Sequence, residues 1–150
     1  MTERELVMAA GLMEGEGTVR LNRPTKRNKG TLIVSMVNTD PEIIDFMQSR
    51  WPGYCKPATG LRAGQRPAMV WVIAARQALA FLEQIEPFVI THRMRERIAT
   101  ARRWQRIKAK HWRYRTEADY EESFNCWHWM AELNRRGVQT CPDADTHRRR

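Results

Sequence analysis

Apolar and polar positions change period several times along this chain, and each change marks an element. From Glu3 to Glu14 the spacing is helical, with Leu6, Val7, Met8, Leu12 and Met13 giving apolar surface on more than one side. Gly15 and Gly17 follow, and a glycine there is expected to close the helix in the left-handed region. From Thr18 to Arg23 the period drops to two, with Val19 and Leu21 on one face and Thr18, Arg20 and Asn22 on the other. Pro24 to Gly30 reads as a basic turn carrying Lys26, Arg27 and Lys29. A second strand runs from Thr31 to Val37 with Leu32, Val34 and Met36 on one face; the alternation is less clean on the other, where Ile33 and Val37 mix with Thr31 and Ser35. Thr39 or Asp40 can cap the next helix and Pro41 suits its first turn. Ile43, Ile44, Phe46 and Met47 form its buried stripe as far as about Arg50.

A second hairpin is expected between Tyr54 and Ile73, its turn from Gly60 to Pro67 carrying Arg62 and Arg66. A helix follows from about Arg76 to Glu86, with Leu79, Leu82 and Ile85 at helical spacing. Pro87 breaks it, and a long basic helix is expected from about Phe88 to Tyr114. Another amphipathic helix, about Glu117 to Arg136, carries Tyr120, Phe124, Trp127, Met130 and Leu133; Gly137 ends it and the remainder reads as a disordered tail. No internal repeat of the first unit is visible. The class is α+β, an αββαββα core with an antiparallel sheet plus a C-terminal helical extension. Helices on one face of the sheet would leave the other open, presenting Arg20, Asn22, Thr31, Ser35 and the basic turns. A curved β-surface of that kind can lie in the major groove of DNA. The plainer alternative is a strand face that is polar only because water covers it.

Composition narrows the choice of partner. The 150 residues suffice for one domain with a real core, 42% of them are hydrophobic, and no apolar run is long enough to span a bilayer. The charged start, Met1-Thr2-Glu3-Arg4-Glu5, lacks a signal-peptide core, so an intracellular protein is expected, cytoplasmic or nucleoid-associated. Lys and Arg number 26 against 17 acids, a formal charge of +9, which favours nucleic acid over an anionic membrane because the apolar positions are needed for a core. Between Pro87 and Thr116 ten basic residues meet one acid, and Arg95, Arg102, Arg106 and Lys110 fall near one helix face, either as solvated charge or as phosphate contacts. Three cysteines with no CxxC pair argue against a disulfide framework.

The candidate chemistry lies in Ala9-Ala10-Gly11-Leu12-Met13-Glu14-Gly15-Glu16-Gly17. Gly11 and Gly15, four apart, share a helix face and let another backbone approach. Glu16 stands at a helix C-terminus, where the macrodipole and unpaired carbonyls disfavour a carboxylate. A divalent cation resolves that conflict, because Glu16 and the Gly15 carbonyl are hard oxygen ligands suited to Mg²⁺, with Mn²⁺ able to substitute. The plainer reading is an exposed acid between two turn glycines.

This segment resembles the LAGLIDADG motif of homing endonucleases, in the variant ending Gly-Glu-Gly. Ser35 to Asp40 resembles the family's exit from its second strand, and Phe81 to Phe88 resembles its later helix and proline. The resemblance covers roughly Glu5 to Gln105, which implies a core of residues 1–105, an added helical extension over 106–136 and a tail over 137–150. With one motif per chain, it implies a homodimer whose motif helices meet through Gly11, Gly15 and Ala10. It implies a metal-dependent DNA endonuclease, with Glu16 and Gly15 as metal ligands and no small-molecule cofactor. Staggered cuts across the minor groove, leaving 3′ overhangs, are part of the same implication. Asn38 matches a position where the family often has a polar residue that orients water. Many members have a lysine five residues after the proline matching Pro87; here that position is His92, with Arg93 beside it. The expected catalytic set is therefore Glu16, Asn38 and His92. The expected DNA contacts are Thr18, Arg20, Asn22, Lys26, Arg27, Lys29, Thr31, Ser35, Arg62, Arg66 and Arg93. A non-cleaving DNA- or RNA-binding protein on the same fold, such as a maturase or regulator, is the competing expectation. A basic scaffold that packs nucleic acid is a more distant one.

Overall fold

The computed structural model describes residues 1–25, 30–60 and 63–135. Helix α1 (Glu3–Glu16) leads directly into β1 (Gly17–Leu21), followed by β2 (Leu32–Asn38), α2 (Pro41–Arg50), β3 (Tyr54–Pro57), β4 (Met69–Ala74), α3 (Ala75–Ile85), α4 (His92–Ala109) and α5 (Glu117–Asn134). Single 3₁₀ turns at Glu86–Phe88 and Trp112–Tyr114 flank α4. The four strands form one antiparallel sheet in the order β1-β2-β4-β3. The expected α+β order of elements is what the structure shows.

Each hairpin contributes one central and one edge strand, and strict alternation then sorts the side chains. Val19, Leu21, Leu32, Val34, Met36, Trp71 and Ile73 are buried on the inner face. There they meet Met13 of α1, Met47 of α2, Phe81, Leu82 and Ile85 of α3, and Met94 and Ile98 of α4. The rings of Trp51 and Trp71 each meet Phe81 edge-on, with centroids 4.9 and 5.5 Å apart. Both indoles are satisfied: Trp71 Nε1 donates to the Trp51 carbonyl at 3.0 Å, and Trp51 Nε1 to Gln84 Oε1 at 2.8 Å.

The helix starts follow local chemistry. Thr2 Oγ1 accepts from the Glu5 amide while Glu5 Oε2 accepts from the Thr2 amide at 2.7 Å, a reciprocal cap. Arg50 Nε also donates to Glu5 at 2.6 Å, tying the end of α2 to the start of α1. These contacts, the Thr2 amide first and Arg50 second, hold the Glu5 carboxyl down at about 2. Asp40 caps α2, accepting from the Glu42 amide at 2.9 Å, with Pro41 in the first turn.

Two expectations are corrected. Gly17 closes α1 at φ −79° and ψ 151°, extended rather than left-handed. Glycine is needed there for space: a Cβ would lie 2.3 Å from Met13 Cε and 2.6 Å from the Met13 carbonyl oxygen. The long basic helix expected from Phe88 to Tyr114 spans only His92 to Ala109. Val89 is extended and Thr91 caps a fresh start, accepting from the Met94 amide at 3.4 Å. At the far end Arg115 folds back, donating to the carbonyls of Lys108 and Lys110 at 2.8 and 3.3 Å and satisfying a terminus that would otherwise have continued.

Helix α5 packs against α4 and along β1, whose other side pairs with β2. Asn134 Nδ2 donates to the Val19 carbonyl at 2.8 Å, and Cys126, Met130 and Leu133 are buried. The boundary expected after Gln105 falls inside α4, and residues expected in the 137–150 tail lie outside the described residues. Much of the basic stripe holds the fold together. Arg102 pairs with Glu83 and Glu86, Arg103 with Glu122, Lys110 with Asp119, and Arg95 donates to the Val89 carbonyl, while Arg106 is exposed.

Candidate active site

Glu16 is the last residue of α1, and because no loop separates it from β1 its position is set by the sheet. Gly17 pairs with Met36, which brings the end of β2 beside the end of the helix. Asn38 Nδ2 donates to Glu16 Oε2. Asn38 is itself oriented, its Oδ1 accepting from the Asp40 amide at 2.8 Å, so the amide nitrogen is the group left to face the carboxylate. The start of α2 thus fixes the acid at the end of α1.

Beside this acid opens a cleft of about 740 Å³. One wall is the end of α1 and the start of β1, from Glu14 to Thr18; the other is the start of α4, with Thr91, His92, Arg93 and Arg97. Glu14 joins the walls: its Oε1 accepts from the amides of Ile90 at 3.0 Å and Thr91 at 2.6 Å. A carboxylate at a helix N-terminus is favoured by the dipole, so α1 and α4 are clamped together there. Arg97 donates Nη2 to the Leu133 carbonyl of α5 at 3.0 Å, and its pKa is lowered by burial first and by the charge of Arg93 second. Asn134 of α5 completes the lining.

The structure therefore brings together Glu16, Gly15, Asn38, Thr18, His92 and Arg93 from the expected set. The His92 side chain is 68% exposed, with Nε2 3.9 Å from Glu96 Oε1 one turn along. Arg20 and Ser35 lie on the outer sheet face, in the rows Arg20–Ile33 and Thr18–Ser35–Val72–Tyr54. Val70 and Val72 of β4 join Ile33 and Val37 there, so that face is more apolar than expected. Asn22 and Thr31 extend the hairpin, the Asn22 amide donating to the Thr31 carbonyl at 3.0 Å. Arg66 is exposed, away from the cleft lining. Lys26, Arg27, Lys29 and Arg62 lie outside the described residues.

Gly11 and Gly15 are exposed, and a Cβ built on either would have no neighbour within 4 Å among the described residues. Val7 and Met8 on the same helix are 50% and 47% exposed. Ala10, expected beside the glycines at a dimer interface, is fully buried in the core; one residue rotates the helix by about 100°, enough to turn it inward. Glu14, Arg97 and Asn134 were not anticipated. Glu14 carried a signal in the motif, but its partners are backbone amides far along the chain, and Arg97 was hidden among many arginines.

Among the described residues, no group of three or more His, Cys, Asp or Glu side chains is placed to hold a metal ion, and no helix is long and apolar enough to cross a membrane. No protein-family model and no curated protein matches the sequence. Solved structures do. The archaeal intron-encoded homing endonuclease I-Vdi141I, complexed with DNA, superposes with a TM-score of 0.65 at 12% identity over 93% of this chain and 89% of that one. The homing endonuclease I-CvuI, solved with a DNA target in the presence of Mg, gives 0.64 at 11% identity over 92% and 87%. The LAGLIDADG homing endonuclease I-SmaMI, bound to cleaved DNA, gives 0.53 at 14% identity over 79% of this chain but 41% of its own. The chain has the fold of the LAGLIDADG homing endonucleases.

Proposed function

We propose that this protein is a metal-dependent DNA endonuclease that works as a homodimer and makes a staggered double-strand cut. The observation that carries the reading is the Glu16 carboxylate, held by Asn38 at a helix end and facing a cleft whose other wall carries Arg93 and Arg97. A protein that only bound DNA would gain nothing from an acid beside phosphates. A divalent cation turns that repulsion into attraction. Glu16 and the terminal carbonyls of α1, Gly15 among them, are hard oxygen donors that fit Mg²⁺ or Mn²⁺. They make only part of a coordination shell, which agrees with a site completed by a second copy and by DNA. Such an ion supplies activated water and charge neutralisation at a leaving oxygen. Asn38 keeps the acid aimed, and Arg93 offers positive charge to phosphate. The net charge of +9 draws the duplex in, Thr18, Arg20 and Ser35 offering polar contacts from the sheet. Arg66, exposed ahead of β4, adds a further cation for phosphate.

The homodimer rests on the exposed Gly11 and Gly15, with Val7 and Met8 exposed on the same helix. The protein would act wherever its DNA is, in the cytoplasm or nucleoid. His92 favours a second reading, a non-cleaving binder of DNA or RNA, because its ring is exposed and stands 3.9 Å from Glu96 of its own helix. Selection of cut sites from a randomised duplex library, with and without Mg²⁺, separates the two. The parent should cut only with Mg²⁺. Glu16→Gln should lose about a thousandfold in rate, the equivalent of several kcal/mol of transition-state stabilisation, while binding in Ca²⁺ persists. Parental cutting by Glu16→Gln would overturn the assignment; binding with no cutting by either protein would establish the second reading.

A further inference from the structure

Helix α4 uses its cations in two ways. Arg102, Arg103 and Lys110 each have a carboxylate partner and tie the helix to α3 or α5. Arg97, on the same helix, has none among the described residues. Its Nη2 is spent on the Leu133 carbonyl, its Nε is sealed from solvent without a partner among the described residues, and a second cation, Arg93, bears on it. A half-buried guanidinium that has no carboxylate partner among the described residues and feels a neighbouring cation is a costly arrangement for folding alone. Both residues line the cleft that holds Glu16. Asn134 lines it too, with Nδ2 fixed on the Val19 carbonyl and Oδ1 buried without a partner among the described residues. The cleft thus carries a positive charge held in place, and α5 supplies its backing.

We infer that Arg97 seats a phosphate oxygen of bound nucleic acid in this cleft, the end of α5 holding its guanidinium in place. The Leu133 carbonyl is an orphan acceptor of a helix terminus, so Arg97 also closes α5. A cap alone would be satisfied by an exposed lysine and would not need half-burial next to a like charge. Fixing Nη2 leaves Nη1 as the donor free to meet an anion, with little side-chain entropy left to lose. The inference rests on nucleic acid occupying the cleft, as in the function proposed above, but not on cleavage.

The test is heteronuclear NMR of the arginine Nε–H groups in the full chain without divalent metal, titrated with inorganic phosphate and separately with a mixed-sequence DNA duplex. Sodium chloride at matched ionic strength is the parallel arm, and Arg97→Lys identifies the resonance by deleting it. The Arg97 signal should shift saturably with phosphate and duplex and stay in place with chloride. In Arg97→Gln, the slope of log affinity for duplex against log salt should fall by about 0.9, the loss of one phosphate contact. If Arg97→Gln fails to fold, the parent's resonance decides alone. A signal that responds no more to phosphate or duplex than to chloride leaves Arg97 as a helix cap and overturns the inference. Duplex engaging Arg97 without any cutting in Mg²⁺ would remove the nuclease reading and keep this one. Cutting that depends on Glu16 while Arg97 stays silent would do the reverse.

Discussion

Replacing Gly11 by alanine should strengthen the isolated fold and weaken the assembled protein. Gly11 lies inside α1, where glycine costs about 0.8–1.0 kcal/mol relative to alanine through backbone entropy. A Cβ there meets nothing within 4 Å, so no clash offsets the gain. For a chain of this length, 1 kcal/mol raises the midpoint of thermal unfolding by about 2–4 °C. If two copies of α1 close on each other at this residue, each new methyl intrudes on the partner backbone, at about 1–3 kcal/mol of association free energy. Urea unfolding at concentrations where the protein is monomeric reads the first effect, and sedimentation over a concentration series reads the second. Gly11→Leu should exaggerate the second while adding little to the first. Gly15→Ala, nearer the helix end, should follow the same signs with a smaller gain in stability. A Gly11→Leu protein that still dimerises with the parental constant would place the interface elsewhere and refute the reasoning.

Gly17→Ala should behave oppositely to Gly11→Ala. Its backbone angles suit alanine, but the Cβ would sit 2.6 Å from the Met13 carbonyl, so denaturant unfolding should show a loss of about 1–3 kcal/mol; a neutral result would mean that α1 and β1 join less tightly than described. Asn38→Ala should leave the fold largely intact and lower Mg²⁺ affinity or cleavage rate by about 10–100-fold, because the acid loses its anchor. A Mg²⁺ titration of cleavage indistinguishable from the parent would remove that role. Glu5 has a pKa depressed from 4.5 to about 2 in the folded chain, so its contribution is complete above 4.5 and fades as pH falls toward 2. Glu5→Gln should therefore be less stable than the parent at neutral pH, with the gap closing over that window in acid unfolding curves.

The pattern of periods was sufficient for the architecture. Alternation in Thr18–Arg23 and Leu32–Met36 decides which face of each strand is buried, since a pleated strand has no other way to hide Val19 and Val34 together. The capping chemistry of Asp40 and Pro41 placed α2 for the same local reason. The motif likewise exposed Glu16, because an acid at a helix end is a conflict visible in one dimension. Other features depend on distance in space. The reason for Gly17 is the packing of Met13 rather than the handedness of a cap. The inward turn of Ala10 depends on which side of α1 meets the core. The break at Val89 and the new start at Thr91 are stabilised by Glu14, a residue more than seventy positions earlier. Whether a basic residue of α4 ties helices or faces the cleft depends on where the acids of α3 and α5 land. Arg102 finds Glu83 and Glu86 and becomes part of the scaffold, whereas Arg97 finds the Leu133 carbonyl and keeps its charge. A residue's type and local rhythm fix its element; its electrostatic role is fixed by neighbours that only the folded chain supplies.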